Sequence, residues 1–253
     1  MTRSLLTIML YLALSATGIS SGAMRFDGVD DYISTVYTNN ATTGITVSLW
    51  AYRIGAVTLG GLTCVGADSA NGFETFIASS TSNTYHFVKA AVVGIDSGIT
   101  SPVNTWEHVT WTVESDKKPR LYINGILKFT STDTQSIVAS THRTLIGALQ
   151  NGSDNAIAGT YWNGSIDEVL IYNKSLTASE IQAMYASGGA WYPKDGLVSR
   201  WSMENNGVST GQAHANGSTI KDSFGANNGT VGDGADGSMT LEPSPLRQKR
   251  GRR

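Results

Sequence analysis

Residues 22–33 have the sequence GAMRFDGVDDYI, in which an acidic, glycine-containing segment separates two short apolar stretches. Phe26 ends the first apolar stretch, Asp27-Gly28 follows it, and Ile33 belongs to the second. An Asp-Gly pair between alternating apolar residues is a strong sequence signal for a β-hairpin. The stretch therefore predicts a strand, a tight turn and a second strand.

The residues before this stretch have the three-part organisation of a secretory signal peptide. Arg3 is followed by the largely apolar run LLTIMLYLAL at 5–14 and then by small and polar residues. This run is too short to cross a bilayer, which needs about 20 residues. We predict a signal peptide over residues 1–23, a mature chain that starts near Met24, and a secreted, extracellular or cell-surface protein. The alternatives are a retained N-terminal anchor or a first strand of an assembly protein.

The composition indicates a β-rich body without disulfide bonds. Charged residues make up 15% of the chain, and 28 glycines punctuate stretches that are rich in Thr, Ser, Val and Ile. Cys64 is the single cysteine, which excludes an intrachain disulfide. We expect Cys64 to be a buried and inert thiol.

The C-terminus carries a basic tail, RQKRGRR at 247–253, with five of the 18 basic residues. Without the tail and Arg3, 12 basic residues remain against 20 acidic ones, so the body is acidic. This charge argues against nucleic acid as the main ligand. The tail is interpreted as a contact to an anionic surface or polymer, as a processing or export signal, or as a solvated end.

The middle of the chain predicts many short strands and one helix. Strands are expected in GITVSLWAYRI (44–54), TYHFVKAAVVGI (84–95), around the turn SDKKP within residues 104–131, in TLIGAL (144–149) and in GSIDEVLIYN (164–173). Asn124-Gly125 is a type I′ hairpin signal. Thr177 and Glu180 form a capping box that opens a short helix, which Gly188-Gly189 ends.

These stretches, in this order, resemble the laminin G-like branch of the concanavalin A-like jelly rolls. Five blocks carry the resemblance: FDGVDDYI (26–33), TVSLWAYR (46–53), WEHVTWTVESDKKPRLYINGIL (106–127), IGALQNG (146–152) and WNGSIDEVLIYNKSLTASEIQAMYASG (162–188). The resemblance covers most of residues 24–190. It implies an all-β fold, a two-sheet antiparallel jelly-roll sandwich with one short helix.

Apolar residues at strand positions in these blocks are expected to form the core. They are Phe26, Leu49, Val109, Trp111, Leu121, Ile123, Ile166, Val169 and Ile171. For Trp50, Trp106 and Trp162 we also expect packing, and the alternative is a platform on which a sugar ring stacks.

The opening segment typical of the family is missing before residue 24. Similar segments occur near the other end of the chain, GLVSRWSMENN at 196–206 and KDSFGANNGTVGDGADGSM at 221–239. We divide the chain into a body at 24–190, a displaced segment at 191–239 and a basic tail at 240–253.

Three interpretations of the displaced segment are open. It completes its own sandwich as a circular permutation, which we favour; it begins a second repeat that was lost; or it completes a neighbouring copy through an open sheet edge.

The sequence does not predict catalysis. The four histidines are scattered, and the best carboxylate pair is Asp167-Glu168. Neighbours on a regular strand point to opposite faces, so these two carboxylates are not expected to flank one glycosidic bond. We therefore predict that the protein is not an enzyme.

The family resemblance implies a structural Ca²⁺ near the displaced segment. The ligands in this sequence would be Asp167, Glu168, Asp222 and Asn227, all oxygen donors of the kind that Ca²⁺ prefers. The alternative is that Asp222 caps a turn and that Asp167 accepts hydrogen bonds from backbone amides.

The resemblance implies an extracellular, non-catalytic recognition module, a carbohydrate-binding or matrix-binding adhesion protein with a glycan or matrix component as its partner. The contacts are expected in four polar loops: 38–43, 67–72, 115–119 and 149–162. The alternative is a structural surface or virion assembly protein that associates with itself through its rims and C-terminal strands. An accessory domain of a larger enzyme system is the third hypothesis.

Overall fold

The computed structural model describes residues 22–41, 43–66, 72–78, 82–89, 94–204, 211–232 and 239–244. These residues form two antiparallel sheets of eight strands each and one helix, α1 (Ala178–Ala186). The predicted two-sheet antiparallel jelly-roll sandwich with one short helix is confirmed. Most of the predicted signal peptide (1–21), most of the loop at 67–72 and the basic stretch at 247–253 lie outside the described residues.

Sheet A contains the strands around the long central strand β12. In spatial order it consists of β10 (Ile126–Thr130), β9 (Pro119–Ile123), β8 (Trp106–Val113), β3 (Ile45–Arg53), β12 (Asn163–Tyr172), β1 (Gly22–Asp27) and β16 (Thr240–Pro243), and β13 (Leu197–Trp201) also pairs with β12.

Sheet B faces it across the core. In spatial order it consists of β14 (Thr219–Ile220), β15 (Gly229–Gly232), β2 (Tyr32–Thr38), β11 (Arg143–Ile146), β4 (Leu59–Val65), β5 (Phe73–Ala78), β6 (Thr84–Val88) and β7 (Ile95–Thr100). In the described part of the chain, no helix has the length and apolar character needed to span a membrane.

The space between the sheets is filled by the predicted core residues. All nine of them belong to one buried cluster, and each full burial contributes about 1.5–3 kcal/mol. Trp162 also joins this cluster, whereas Trp50 is buried on the outer face of sheet A. Trp106 is only half-buried. The packing prediction therefore holds for Trp50 and Trp162. For Trp106 it holds only in part, because part of this side chain stays exposed to solvent.

The predicted hairpin at residues 22–33 is wrong. β1 pairs with β12 and β16, whereas β2 pairs with β11 and β15, so the two strands lie in opposite sheets. The turn between them is closed by carboxylates, since Asp31 accepts from the backbone N–H of Asp27 at 2.8 Å and Asp27 accepts from that of Val29 at 2.7 Å. Phe26 and Ile33 therefore enter the same core from its two sides.

Two local predictions are confirmed. Asn124 and Gly125 have φ angles of 53° and 76° and join β9 to β10, as a type I′ turn requires. At the start of α1 the Thr177 side chain accepts from the backbone N–H of Glu180, and the Glu180 carboxylate accepts from that of Thr177.

The C-terminal strands pair with the body of the same chain. β13 lies beside β12, β15 beside β2, and β16 beside β1. β1 begins at Gly22, two residues before the predicted start of the mature chain, and β16 lies within the first residues assigned to the tail. Leu241 in β16 is fully buried, so apolar burial as well as edge pairing places residues 240–243 in the sheet.

Removal of β13–β16 should unfold the sandwich. A chain that ends at residue 190 leaves β1 and β2 each without one neighbour and removes the buried Trp201 and Leu241. We expect it to aggregate or to melt well below a chain that ends at Ser244, as thermal unfolding at equal concentration would show. Equal melting temperatures would contradict completion by the C-terminal strands.

The helix covers part of the outer face of sheet A. Ile181 and Met184 of α1 pack in a buried cluster with Leu170 and Tyr172 of β12. Next to this cluster, Tyr185 stacks on Trp50 at a centroid distance of 5.7 Å. The helix thus protects the middle of sheet A from solvent.

His108 is fully enclosed beside Trp50. Its Nε2 lies 2.8 Å from the Ser48 hydroxyl, and burial lowers the pKa of His108 from 6.5 to about 3. The folded state therefore holds a neutral imidazole under conditions in which the unfolded chain binds a proton.

This burial predicts acid sensitivity. Because the folded pKa is depressed, stability is lost as pH falls below the unfolded value of 6.5, by about 2 kcal/mol between pH 7 and pH 5. Denaturant unfolding of His108→Gln should show a smaller loss over this interval, whereas the more exposed His142→Gln should behave like the parent chain. The same pH slope in the parent chain and in His108→Gln would contradict this assignment.

Candidate functional site

The carboxylates of Asp167 and Glu168 lie at an irregularity in β12. Asp167 is opposite Trp50 of β3, and Leu170 is opposite Ser48, so β12 carries one extra residue. Glu168 has a φ of 49°. The expected strict alternation of neighbouring side chains therefore does not hold at this bulge.

Protein donors engage both carboxylates. The two oxygens of Glu168 accept from Nε and Nη2 of Arg200 at 2.8 and 2.7 Å, and both side chains are largely buried. Burial alone would lower the pKa of Arg200, but the interaction with Glu168 outweighs it, so this pKa is raised. Asp167 accepts from the Ser244 hydroxyl at 2.6 Å and from the backbone N–H of Glu168 at 2.7 Å.

Asp222 organises the loop before β15. Its carboxylate accepts backbone N–H groups from Arg200, Phe224, Gly225 and Asn227 at 2.9–3.1 Å. Burial alone would raise the pKa of Asp222, but these four donors stabilise the anion, and the pKa is lowered.

Asn227 holds the same loop against β13. Its Nδ2 donates to the Ser199 hydroxyl at 2.7 Å, and its carbonyl accepts from the Trp201 indole at 2.9 Å. This contact fixes the loop against the core tryptophan.

Protein groups engage all four predicted calcium ligands in this arrangement. Backbone N–H groups bind the Asp222 carboxylate, and a guanidinium binds that of Glu168. Protein donors therefore already compensate the charge of both carboxylates. The alternative interpretation, in which Asp222 caps a turn and Asp167 accepts from an amide, matches the contacts. Calcium binding by these residues stays a prediction.

A different acidic group lies in the turn between β1 and β2. Carboxylate oxygens of Asp27, Asp30 and Asp31 lie within 4.8 Å of one another, which is close enough for one ion. The signal was present in the sequence DGVDD, but the hairpin prediction assigned these residues to a turn alone.

Two grooves lie on the rim formed by the segments 38–41, 114–118 and 135–141 together with Thr43, which we call the loop rim. One groove, of about 280 Å³, is lined by Thr43, Val113, Glu114, Ser115, Lys117, Gln135, Ser136 and Ile137. The other, of about 300 Å³, is lined by Thr38, Asn39, Asn40, Ala139, Ser140 and Thr141. Most of the lining residues therefore carry hydroxyl, amide or charged side chains, while apolar atoms contribute the larger part of the lining surface.

Hydrogen bonds fix the loops of the rim to one another. Asn39 donates through Nδ2 to the Val138 carbonyl at 2.9 Å, and its carbonyl accepts from the Ser140 N–H at 2.7 Å. The Gln135 N–H donates to the Lys117 carbonyl at 2.6 Å. The rim is thus a preorganised surface.

The structure brings together two of the four predicted contact loops. The described residues of the loop at 38–43 and the loop at 115–119 meet at the loop rim, with the segment 131–142 between them. Sequence reasoning missed that segment, whose polar composition was its only signal. The loop at 149–162 instead folds over sheet B, where Ala156 packs on Leu145.

The chain matches the laminin G-type model of the concanavalin A-like lectin/glucanases superfamily over residues 27–182. This match covers more than half of the sequence, and the chain therefore belongs to this superfamily.

Among curated proteins, the chain is similar to adhesion G-protein coupled receptor D1 of Homo sapiens, with 28% identity over 116 residues, which are 46% of this chain and 13% of the receptor. The aligned segment thus corresponds to a small part of that protein.

Two solved structures share the fold. A protein of Bacteroides ovatus, described as a candidate carbohydrate-binding protein, has a TM-score of 0.66 and 16% identity over 90% of this chain and 61% of its own. A heptameric pentraxin of Limulus polyphemus has a TM-score of 0.57 and 18% identity over 72% of this chain and 93% of its own.

Replacement of Asp222 tests its anchoring role. Asp222→Asn should lower the free energy of unfolding by about 2–3 kcal/mol near pH 7, because an amide cannot serve the four donors as an anion does. Since the folded pKa is depressed, the stabilisation is present above the unfolded pKa, about 3.9, and is lost as pH falls through the folded value.

The gap between the parent chain and Asp222→Asn should therefore narrow below about pH 4. Asp195→Asn is the matched control, since Asp195 pairs with Lys174 on the surface and should contribute less than about 1 kcal/mol. A gap that stays constant from pH 7 to pH 2 would argue against this role.

Proposed function

We propose that the chain is an extracellular, non-catalytic recognition module that binds carbohydrate or matrix glycans at the loop rim. The observation that carries the proposal is the pair of grooves, lined mostly by residues with polar side chains, whose loops are fixed to one another before any ligand arrives. A preorganised site avoids the entropy cost of ordering loops on binding.

The chemistry of the grooves suits a hydroxyl-rich ligand. Amide and hydroxyl side chains both donate and accept, as sugar hydroxyls do. Glu114 and Lys117 line the same groove and balance each other in charge, which favours a neutral ligand over a strongly charged one.

The comparisons support the same ligand class. The Bacteroides ovatus protein is described as a candidate carbohydrate-binding protein, and the human relative is an adhesion receptor. We infer an adhesion role and an extracellular location for this chain from these relatives and from the predicted signal peptide.

The proposal is tested by binding of the purified chain to a broad glycan panel, with Ca²⁺ and again with a chelator. We expect saturable binding to a related set of sugars. The double variant Asn40→Ala/Thr141→Ala should weaken it, by about five-fold for each hydrogen bond lost, at about 1 kcal/mol per bond.

The matched control is Asn216→Ala, an exposed asparagine in the turn before β14, which should bind like the parent chain. Loss of glycan binding in the presence of chelator would show that the site requires a metal ion. No binding to any glycan by a folded protein would refute the proposal.

Self-association is the second candidate function, and β16 is the feature that favours it. This strand pairs with β1 through only four residues at a sheet edge, which is the geometry in which a strand of another copy can replace the resident one. A molecular mass in solution that grows with protein concentration would favour an assembly protein. A monomer mass at every concentration would favour the recognition module.

A further inference from the structure

A row of side chains crosses the outer face of sheet A beyond the end of α1. Trp106 of β8 lies opposite Tyr52 of β3, Tyr52 lies opposite Ser165 of β12, and Ser165 lies opposite Arg25 of β1. Glu242 of β16 joins the row by accepting from the Ser165 hydroxyl at 2.9 Å. We call these five side chains the outer row.

The aromatic half of the row faces away from the core. Leu49, Ala51 and Val109, which alternate with these positions along β3 and β8, belong to the core cluster. The Tyr52 and Trp106 rings are adjacent, with centroids 5.5 Å apart and planes inclined at 43°. Core packing therefore does not explain the position of this pair.

The neighbouring row shows what a covered aromatic pair looks like in this fold. Trp50 lies one row away, is 8% exposed and stacks on Tyr185 of α1. Tyr52 and Trp106 keep intermediate exposure. The helix thus protects one aromatic row and leaves the next accessible to a ligand.

The polar half of the row is held in place by several contacts. The Arg25 guanidinium donates to the Phe26 carbonyl and, at 3.4 Å each, to the Gly164 carbonyl and the Asn163 side chain. Its Nε lies 3.9 Å from Glu242. A guanidinium and a carboxylate with partly exposed side chains thus lie on the same face as the aromatic pair, with Ser165 of β12 between them.

We propose that the outer row is a second saccharide-binding site, which takes the pyranose rings of a neutral glycan chain along the row. The aromatic rings offer an apolar surface to the C–H face of a sugar, and Ser165, Arg25 and Glu242 offer donors and acceptors to its hydroxyls. The four strands β8, β3, β12 and β1, spaced by ~4.8 Å, give the row a length of roughly 14 Å from Trp106 to Arg25.

The charge balance selects the ligand class. Arg25 and Glu242 lie close together, so an anionic sugar attracted by the first is repelled by the second. The row therefore favours a neutral saccharide. The inference rests on the proposed function for its ligand class, and its site is separate from the loop rim.

The test compares Trp106→Ala and Tyr52→Ala with the loop-rim variant Asn40→Ala/Thr141→Ala and with Trp191→Ala. Trp191 is a matched control, because it is also a surface tryptophan, 48% exposed, but follows α1 instead of lying in the row. The probes are cello-, manno-, xylo- and galacto-oligosaccharides, with affinity measured by calorimetry. Thermal unfolding of each variant checks that it is folded.

We expect Trp106→Ala to weaken binding of at least one probe about ten-fold or more, since it removes both stacking and buried apolar area. Trp106→Phe should stay within about three-fold of the parent chain because it keeps an aromatic face. Trp191→Ala should leave affinity unchanged. If Trp106→Ala is unfolded, Tyr52→Ala and Trp106→Phe decide the question, with Tyr52→Ala expected to lose affinity.

The two proposals fail in different ways. Binding that the loop-rim variant loses and that the row variants keep would overturn the second site and leave the proposed function standing. Binding that the row variants lose and the loop-rim variant keeps would support the outer row and move glycan recognition away from the rim. No binding of any probe by the parent chain would overturn both.

Discussion

The ion pair between Glu168 and Arg200 joins the body of the sandwich to its C-terminal region. Glu168 lies in the central strand of sheet A, where its carboxylate is buried, and β13 supplies the guanidinium that neutralises it. A buried carboxylate without its partner is strongly destabilising, typically by 3–5 kcal/mol. The body at 24–190 therefore carries a charge that residues after the helix must compensate.

The same region is tied by a second set of contacts that do not depend on charge pairs. The Asp222 carboxylate accepts from the backbone N–H of Arg200, and the Trp201 indole donates to the carbonyl of Asn227. The loop before β15 is thus fixed to two neighbouring residues of β13. The strands on either side then continue into different sheets, β13 into sheet A and β15 into sheet B. This loop therefore links the two layers at the point where the ion pair sits.

Much of this architecture could be predicted from the sequence, because it follows from local chemistry. Asn124-Gly125 admits the positive φ angles of a type I′ turn. The Thr177 and Glu180 side chains form a capping box with backbone groups only three residues apart at the start of α1. Alternating apolar residues identified the core because each strand must bury one face.

The features that could not be predicted depend on contacts between distant parts of the chain. An Asp-Gly turn with flanking strands is compatible with a hairpin and with a crossing between sheets, and only the strands that β1 and β2 meet decide between them. The bulge at Asp167 and Glu168 is likewise invisible in the alternation of residues. The donors to Asp222 and Glu168 could not be predicted for the same reason, since Arg200 lies 22 and 32 residues away from them in sequence.

The strand β16 both completes sheet A and contributes to the outer row. Glu242 and Ser244 follow each other closely at the C-terminal end of β16, where Glu242 binds Ser165 in the row and Ser244 binds the buried Asp167. Pairing of β16 with β1 therefore places the Glu242 carboxylate beside Arg25 and brings the Ser244 hydroxyl to the Asp167 carboxylate. The edge strand that completes the sheet thus also sets the charge balance of its outer surface, so a chain that loses this strand loses the neutral character of the row and leaves β1 at the edge of the sheet.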